Sequence, residues 1–157
     1  MKIINRNTVN LLFDKAEALG QEPHESWRCV YLKFSDKPER NNQSLYSNFI
    51  VKPIISLMED MGGFVYLCED GDIFILFQGV MKPVMVKLSS HFADIDADEK
   101  VKNDKLYRVF DLGKHWQGFY SLCEAKYLDN LVAEEEQHYT YQAPANKTFA
   151  ARTLTRA

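Results

Sequence analysis

The apolar patterns in this chain predict an α+β fold: an antiparallel βαββαβ sheet of ferredoxin-like type, with one helix added before it and a long helix after it. Three observations carry the prediction. The segment WRCVYLKF alternates apolar and polar positions between two amphipathic stretches. The segment GFVYLCEDGDIFILF, Gly63 to Phe77, reads as two apolar strands folded back at Asp70-Gly71. An aromatic stripe at helical spacing follows the last strand candidate.

In chain order, Val9, Leu12, Phe13, Ala16 and Leu19 recur at helical spacing. Asn7 or Thr8 is placed to cap this first helix, and Gly20 offers a left-handed stop. In the strand Trp27 to Phe34, Val30, Leu32 and Phe34 face one side while Cys29, Tyr31 and Lys33 face the other. A turn-rich loop, Ser35 to Asn42, leads to a second helix over Gln43 to Met61. Pro53 removes a backbone donor there, so a kink or a late start near Lys52 is expected. Gly62-Gly63 stops it.

In the hairpin, a two-residue turn at Asp70-Gly71 sets Glu69 opposite Asp72, Cys68 opposite Ile73 and Leu67 opposite Phe74. One face then carries Val65, Leu67, Phe74 and Leu76; the other carries Phe64, Tyr66, Cys68, Ile73, Ile75 and Phe77. With both faces apolar, the expectation is central strands covered on both sides, or covered on one side by a partner. The Glu69–Asp72 pairing sets two carboxylates together, which is unfavourable unless they are solvated or bridged by a cation.

Met81, Met85, Leu88, Phe92 and Ile95 then fall at helical spacing, with Pro83 in the first turn; a strand through Val84, Val86 and Leu88 is the weaker alternative. An acidic loop, Asp94 to Asp104, precedes the strand Leu106 to Phe110. A long helix marked by Trp116, Phe119, Tyr120, Cys123, Tyr127 and Leu131 runs out at Glu134-Glu135-Glu136. Residues 1–137 are read as a single α+β domain. Residues 138–157 have the composition of a linker, either a flexible tail or the connection to a following domain.

A chain of 157 residues with 46% hydrophobic and 26% charged residues fits one globular domain. The formal net charge of −3 lacks the basic footprint of a nucleic-acid binder. Cys29, Cys68 and Cys123 are widely spaced, without a CxxC pair, which predicts a reducing compartment. Neither a signal-peptide h-region nor a bilayer-length apolar run is present, so the expectation is a cytoplasmic protein without a membrane partner.

DGDIF, Asp70 to Phe74, resembles a degenerate form of the GGDEF signature of bacterial diguanylate cyclases, which also lies on a hairpin between the second and third strands of a nucleotidyl-cyclase-like fold. The resemblance covers Arg28 to Phe110 in element order and five residues in motif. Gly71, Asp72 and Phe74 match; the first glycine has become Asp70 and the catalytic acid Ile73. The resemblance implies two divalent cations held by a first-strand aspartate and the hairpin acid, stabilising charge on a transferring phosphoryl group. Here Asp36 is the acid nearest the first strand, and Ile73 has no oxygen for a hard cation. The product-binding RxxD signature expected ahead of the hairpin is absent.

Other motifs are weaker. Asp94 to Asp98 opens like an EF-hand loop, but the glycine and glutamate positions hold Glu99 and Lys105. His24, His91, His115 and His138 lack metal-ligand spacing, and nothing in the sequence joins Cys123 to His91 or His115 as a nucleophile and base. GGFVYL resembles an aromatic strand of RNA-recognition domains, but on the wrong strand and without a basic residue before it. The sequence therefore predicts a non-catalytic regulatory or interaction domain of bacterial signalling type, with no cofactor. The ligand-binding candidates are Asp36, Asp70, Gly71 and Asp72, for a nucleotide. The interface candidates are Trp116, Phe119, Tyr120 and Tyr127, for a homodimer, a following domain or a protein partner. The alternatives are a metal-dependent nucleotide enzyme with a non-standard site and a purely structural dimerisation module.

Overall fold

A computed structural model describes residues 1–35, 42–92 and 107–142, with the side chains of the last helix described through Glu135. A five-stranded sheet in the order β1-β3-β4-β2-β5 forms its middle layer: β1 Lys2–Ile4, β2 Trp27–Leu32, β3 Phe64–Leu67, β4 Ile73–Gln78 and β5 Tyr107–Asp111. Strand β2 runs antiparallel to β4 and β5, and β3 antiparallel to β4, whereas β1 lies parallel to β3. The sheet is therefore mixed rather than wholly antiparallel. The extra strand KII is too short for alternation to reveal it; only pairing along the β3 edge makes it a strand.

The pleat of β2 divides the core. Val30, Leu32 and Phe34 join Val65, Ile73, Ile75 and Phe77 on one face. Cys29 and Tyr31 join Tyr66, Phe74 and Leu76 on the other. Helices α3 (Lys52–Met58) and α4 (Met81–His91) cover the first face through Ile54, Met58, Val84 and Leu88. Helices α1 (Thr8–Gly20) and α5 (Leu112–Gln142) cover the second through Leu12, Ala16, Leu19, Phe119 and Cys123. Every β4 side chain from Ile73 to Phe77 is consequently buried, each worth about 1.5–3 kcal/mol of transfer free energy. Here the doubly apolar hairpin finds cover on both sides within one chain.

The hairpin register differs by one residue from the sequence expectation. Leu67 pairs with Ile73 and Tyr66 with Phe74. The loop is Glu69-Asp70-Gly71, closed by Gly71 N–H donating to Cys68 O (3.0 Å) and Cys68 N–H to Asp72 O (2.9 Å). Gly71 sits at φ 98°, the left-handed position at which a three-residue loop ends in a bulge. The shift puts Ile73 and Ile75 on the same face as Val65 and Leu67, where a two-residue turn would have put Phe74 and Leu76. It also removes the expected Glu69–Asp72 pairing, since Glu69 now lies within the loop.

The second helix is broken as its proline requires. Helix α2 (Gln43–Tyr46) is capped by Asn42, whose Oδ1 accepts from Ser44 N–H and Leu45 N–H, both at 3.1 Å. A π-turn, Ser47–Val51, then widens the spiral directly ahead of Pro53, and the helix ends at Met58 rather than Met61. In α1, Gly20 is the last helical residue and not a left-handed stop. Its use is close approach: a Cβ there would lie 3.0 Å from Cζ2 of Trp116 on α5. Helix α5 is irregular at His115 (φ −121°, ψ 29°) and continues past position 137 to Gln142. The acidic Asp94–Asp104 loop and residues 143–157 lie outside the described residues.

Candidate functional site

The hairpin tip meets the end of β2 and the middle of α5, and the polar groups of the three converge on Asp72. This residue is 1% exposed, and its carboxylate is surrounded by donors. Tyr31 Oη donates to Oδ2 at 2.7 Å, Ser35 N–H to Oδ1 at 2.8 Å, and Lys126 Nζ to Oδ2 at 2.6 Å. The same ammonium is paired with Asp70 Oδ2. Asp70 Oδ1 accepts from Asp72 N–H at 3.0 Å, an Asx arrangement that shapes the loop. Tyr46 Oη closes the outer side by donating to Gly71 O at 2.5 Å.

Electrostatics decide the charge state. Burial works to raise the Asp72 carboxyl, but the Lys126 ammonium, the Tyr31 hydroxyl and Ser35 N–H outweigh it and hold the group below its ordinary value. Burial works to lower Lys126, yet its bonds to Asp70 and Asp72 raise it. Both groups are therefore ionised at neutral pH, as a buried ion pair whose remaining oxygens are satisfied by hydrogen bonds. The Tyr31 phenol is pushed far up, first by burial and then by its bond to Asp72, so it acts there as a donor.

Beside this cluster lies a cleft of about 170 Å³ lined by Gln43, Tyr46, Cys68, Glu69 and Gly71. Cys68 is buried, and burial raises its thiol well above the ordinary range, so it is no thiolate nucleophile. Glu69, displaced into the loop by the register, serves the fold: its Oε2 accepts from Thr8 N–H (3.1 Å) at the start of α1. Neither cap expected from the sequence forms, since Asn7 is left-handed (φ 52°) with no side-chain cap bond. A carboxylate at a helix N-terminus satisfies an orphan donor and complements the helix dipole. Replacing Glu69 by alanine is expected to cost about 0.5–1 kcal/mol, read as a fall in urea midpoint at unchanged slope.

Of the four ligand candidates, Asp70, Gly71 and Asp72 come together, while Asp36 lies outside the described residues. Ile73 points into the opposite core. The residues missed by sequence reasoning are Tyr31 and Lys126. Lys126 carried a signal: a lysine between Cys123 and Tyr127, within the stripe that faces the domain.

The interface candidates pack within the chain. Phe119 is fully buried and lies against Phe110, with ring centroids 6.0 Å apart. Tyr127 stacks on Phe13 of α1 at 4.6 Å, Tyr120 lies 5.8 Å from the same ring, and Trp116 meets His24 at 4.2 Å. Trp116, Tyr120 and Tyr127 remain half-buried. Charge substitutions at Trp116 or Phe119 would therefore disturb the α1–α5 layer of the chain itself.

Among the described residues no group of three His, Cys, Asp or Glu side chains could hold a metal ion, and no helix is long and apolar enough to cross a membrane. Comparison with protein-family models, curated proteins and solved structures returned no match.

Proposed function

We propose that this chain is a non-catalytic regulatory or protein-interaction domain of bacterial signalling type, acting in the cytoplasm and related in form to a degenerate GGDEF domain. The order β3-β4-β2-β5, with every neighbour antiparallel, supports a ferredoxin-like core of the nucleotidyl-cyclase kind. The observation that carries the functional reading is Lys126. Its ammonium occupies Oδ2 of Asp70 and Oδ2 of Asp72, the hairpin-tip carboxylates that could otherwise offer oxygens to a cation. A cation could take them only by displacing a side chain that is 11% exposed. The next hairpin position, Ile73, offers no oxygen. On this reading the tip fastens α5 to the sheet and does not hold substrate.

The test is incubation of the protein with GTP and Mg²⁺ or Mn²⁺, assayed for pyrophosphate and cyclic products, beside a thermal-shift panel of GTP and cyclic dinucleotides. No turnover is expected. Metal-dependent product formation abolished by Asp72→Asn would overturn the reading, and stabilisation without turnover would narrow it to a nucleotide sensor.

A further inference from the structure

Beyond Tyr127, helix α5 has no buried side chain among its described residues. Leu128, Leu131 and Val132 nevertheless stand there 52%, 39% and 55% exposed. Their i, i+3, i+4 spacing sets all three on one face, with Ala125 exposed one turn before Leu128. Single exposed aliphatics are ordinary, but three on one turn of a projecting helix form a patch.

The border of the patch has one sign. Glu124 lies one turn before Leu128 and Glu135 one turn after Leu131, closing the stripe at its ends. Asp129 and Glu134 flank its sides, and all four acids are exposed. The basic residue of this stretch, Lys126, points to the opposite side and is bound to Asp70 and Asp72. A second copy of the same stripe would bring acid against acid, which like-charge repulsion disfavours. The complement is an apolar ridge bordered by cations.

We propose that the projecting half of α5 is a docking helix for a basic amphipathic segment of a partner protein, whose apolar residues cover Leu128, Leu131 and Val132 while its lysines or arginines meet Glu124, Asp129, Glu134 and Glu135. This deepens the reading of the chain as an interaction domain and rests on it. The partner helix lies along α5, apolar stripe to apolar stripe, with the charges setting register and excluding acidic competitors. Lys126 gives the site a foundation: by fixing α5 to the hairpin tip it holds the start of the projecting segment in place.

The test uses the full chain and a fluorescent synthetic peptide, a helix with a leucine stripe bordered by lysines, followed by anisotropy. A scrambled peptide of the same composition and a leucine–glutamate peptide serve as controls. Binding of the patterned basic peptide alone is expected, weakening with salt, and about tenfold weaker for Leu131→Asp. Phe49→Asp, at an exposed phenylalanine of the π-turn on the other helical layer, should leave it unchanged. Circular dichroism checks that both variants fold. Equal binding of the scrambled peptide, or unchanged affinity of Leu131→Asp, overturns the inference. So does a concentration-dependent dimer in sedimentation that Leu131→Asp breaks, which would make a second copy the occupant. Loss of binding in Phe49→Asp alone would move docking to the other face and leave the interaction reading standing; metal-dependent nucleotide turnover would remove that reading itself.

Discussion

Replacing Lys126 by methionine is expected to lower the unfolding free energy by about 3–5 kcal/mol, because it leaves the buried Asp72 carboxylate without its cation. The pH dependence separates this from loss of packing. In the native chain the Asp72 carboxyl is held below its ordinary value of 3.8, so its contribution is present above that value and is lost as pH falls through the lower folded value. Lys126 is held above its ordinary 10.5, so its contribution is full below that pH and is lost as pH rises through the higher folded value. The pair therefore stabilises the fold across the whole window from 3.8 to 10.5. In Lys126→Met, the burial of Asp72 loses its main opponent, and the carboxyl is expected to move up past the unfolded value. The folded state then binds more protons than the unfolded state, and stability should rise as pH drops below neutral, the reverse of the native acid limb. Adding Asp72→Asn should recover more than half of the loss, since the amide oxygen still accepts from Tyr31 or Ser35 without a buried charge. Urea titrations of the single and double variants between pH 4 and 8 measure this; a flat pH response in Lys126→Met would show that the carboxylate is solvated after all.

Gly63→Ala is expected to be nearly as damaging, at about 2–5 kcal/mol. Gly63 has φ 112°, a region that L-residues enter only with strain. A Cβ there would lie 2.4 Å from Leu76 O and 3.0 Å from Phe77 Cα, both backbone atoms of β4 that cannot rotate away. Gly63 O also accepts from Lys2 N–H at 2.9 Å, which ties the first strand to the sheet edge. The substitution should therefore weaken β1 and the β3–β4 pairing together, seen as faster amide exchange at Ile3, Val65 and Ile75. Gly62→Ala is the control, because nothing lies within 4 Å of a Cβ at that position. Equal stability of the two variants would refute the steric argument.

Much of the architecture could be read from local pattern. Helices α1 and α4, strand β2 with its two faces, and the last long helix follow from periodicity, because burial against one neighbour imposes a period near 3.6 or 2 on the sequence. Strand β1 could not be read, since three residues hold no period and their state depends on a sequence-distant edge. The turn residues Asp70-Gly71 were legible as a reversal, but glycine in the left-handed region ends a three-residue loop as readily as it sits in a two-residue one. Phe64 to Leu67 and Ile73 to Phe77 are apolar at every position, so the alternation that normally specifies register was silent. Only packing between the two helical layers selected it.

The hairpin that suggested a cyclase-like site shows the same division. That Asp70, Gly71 and Asp72 share a tight reversal, and that position 73 carries no acid, could be read directly, because these are matters of residue identity and adjacency. What the two carboxylates face could not. Lys126 lies far along the chain, and docking of α5 on the second sheet face carries its ammonium to them. A buried carboxylate must be paired wherever it lies, but the partner's position is set by how the layers pack, and no local pattern encodes that distance.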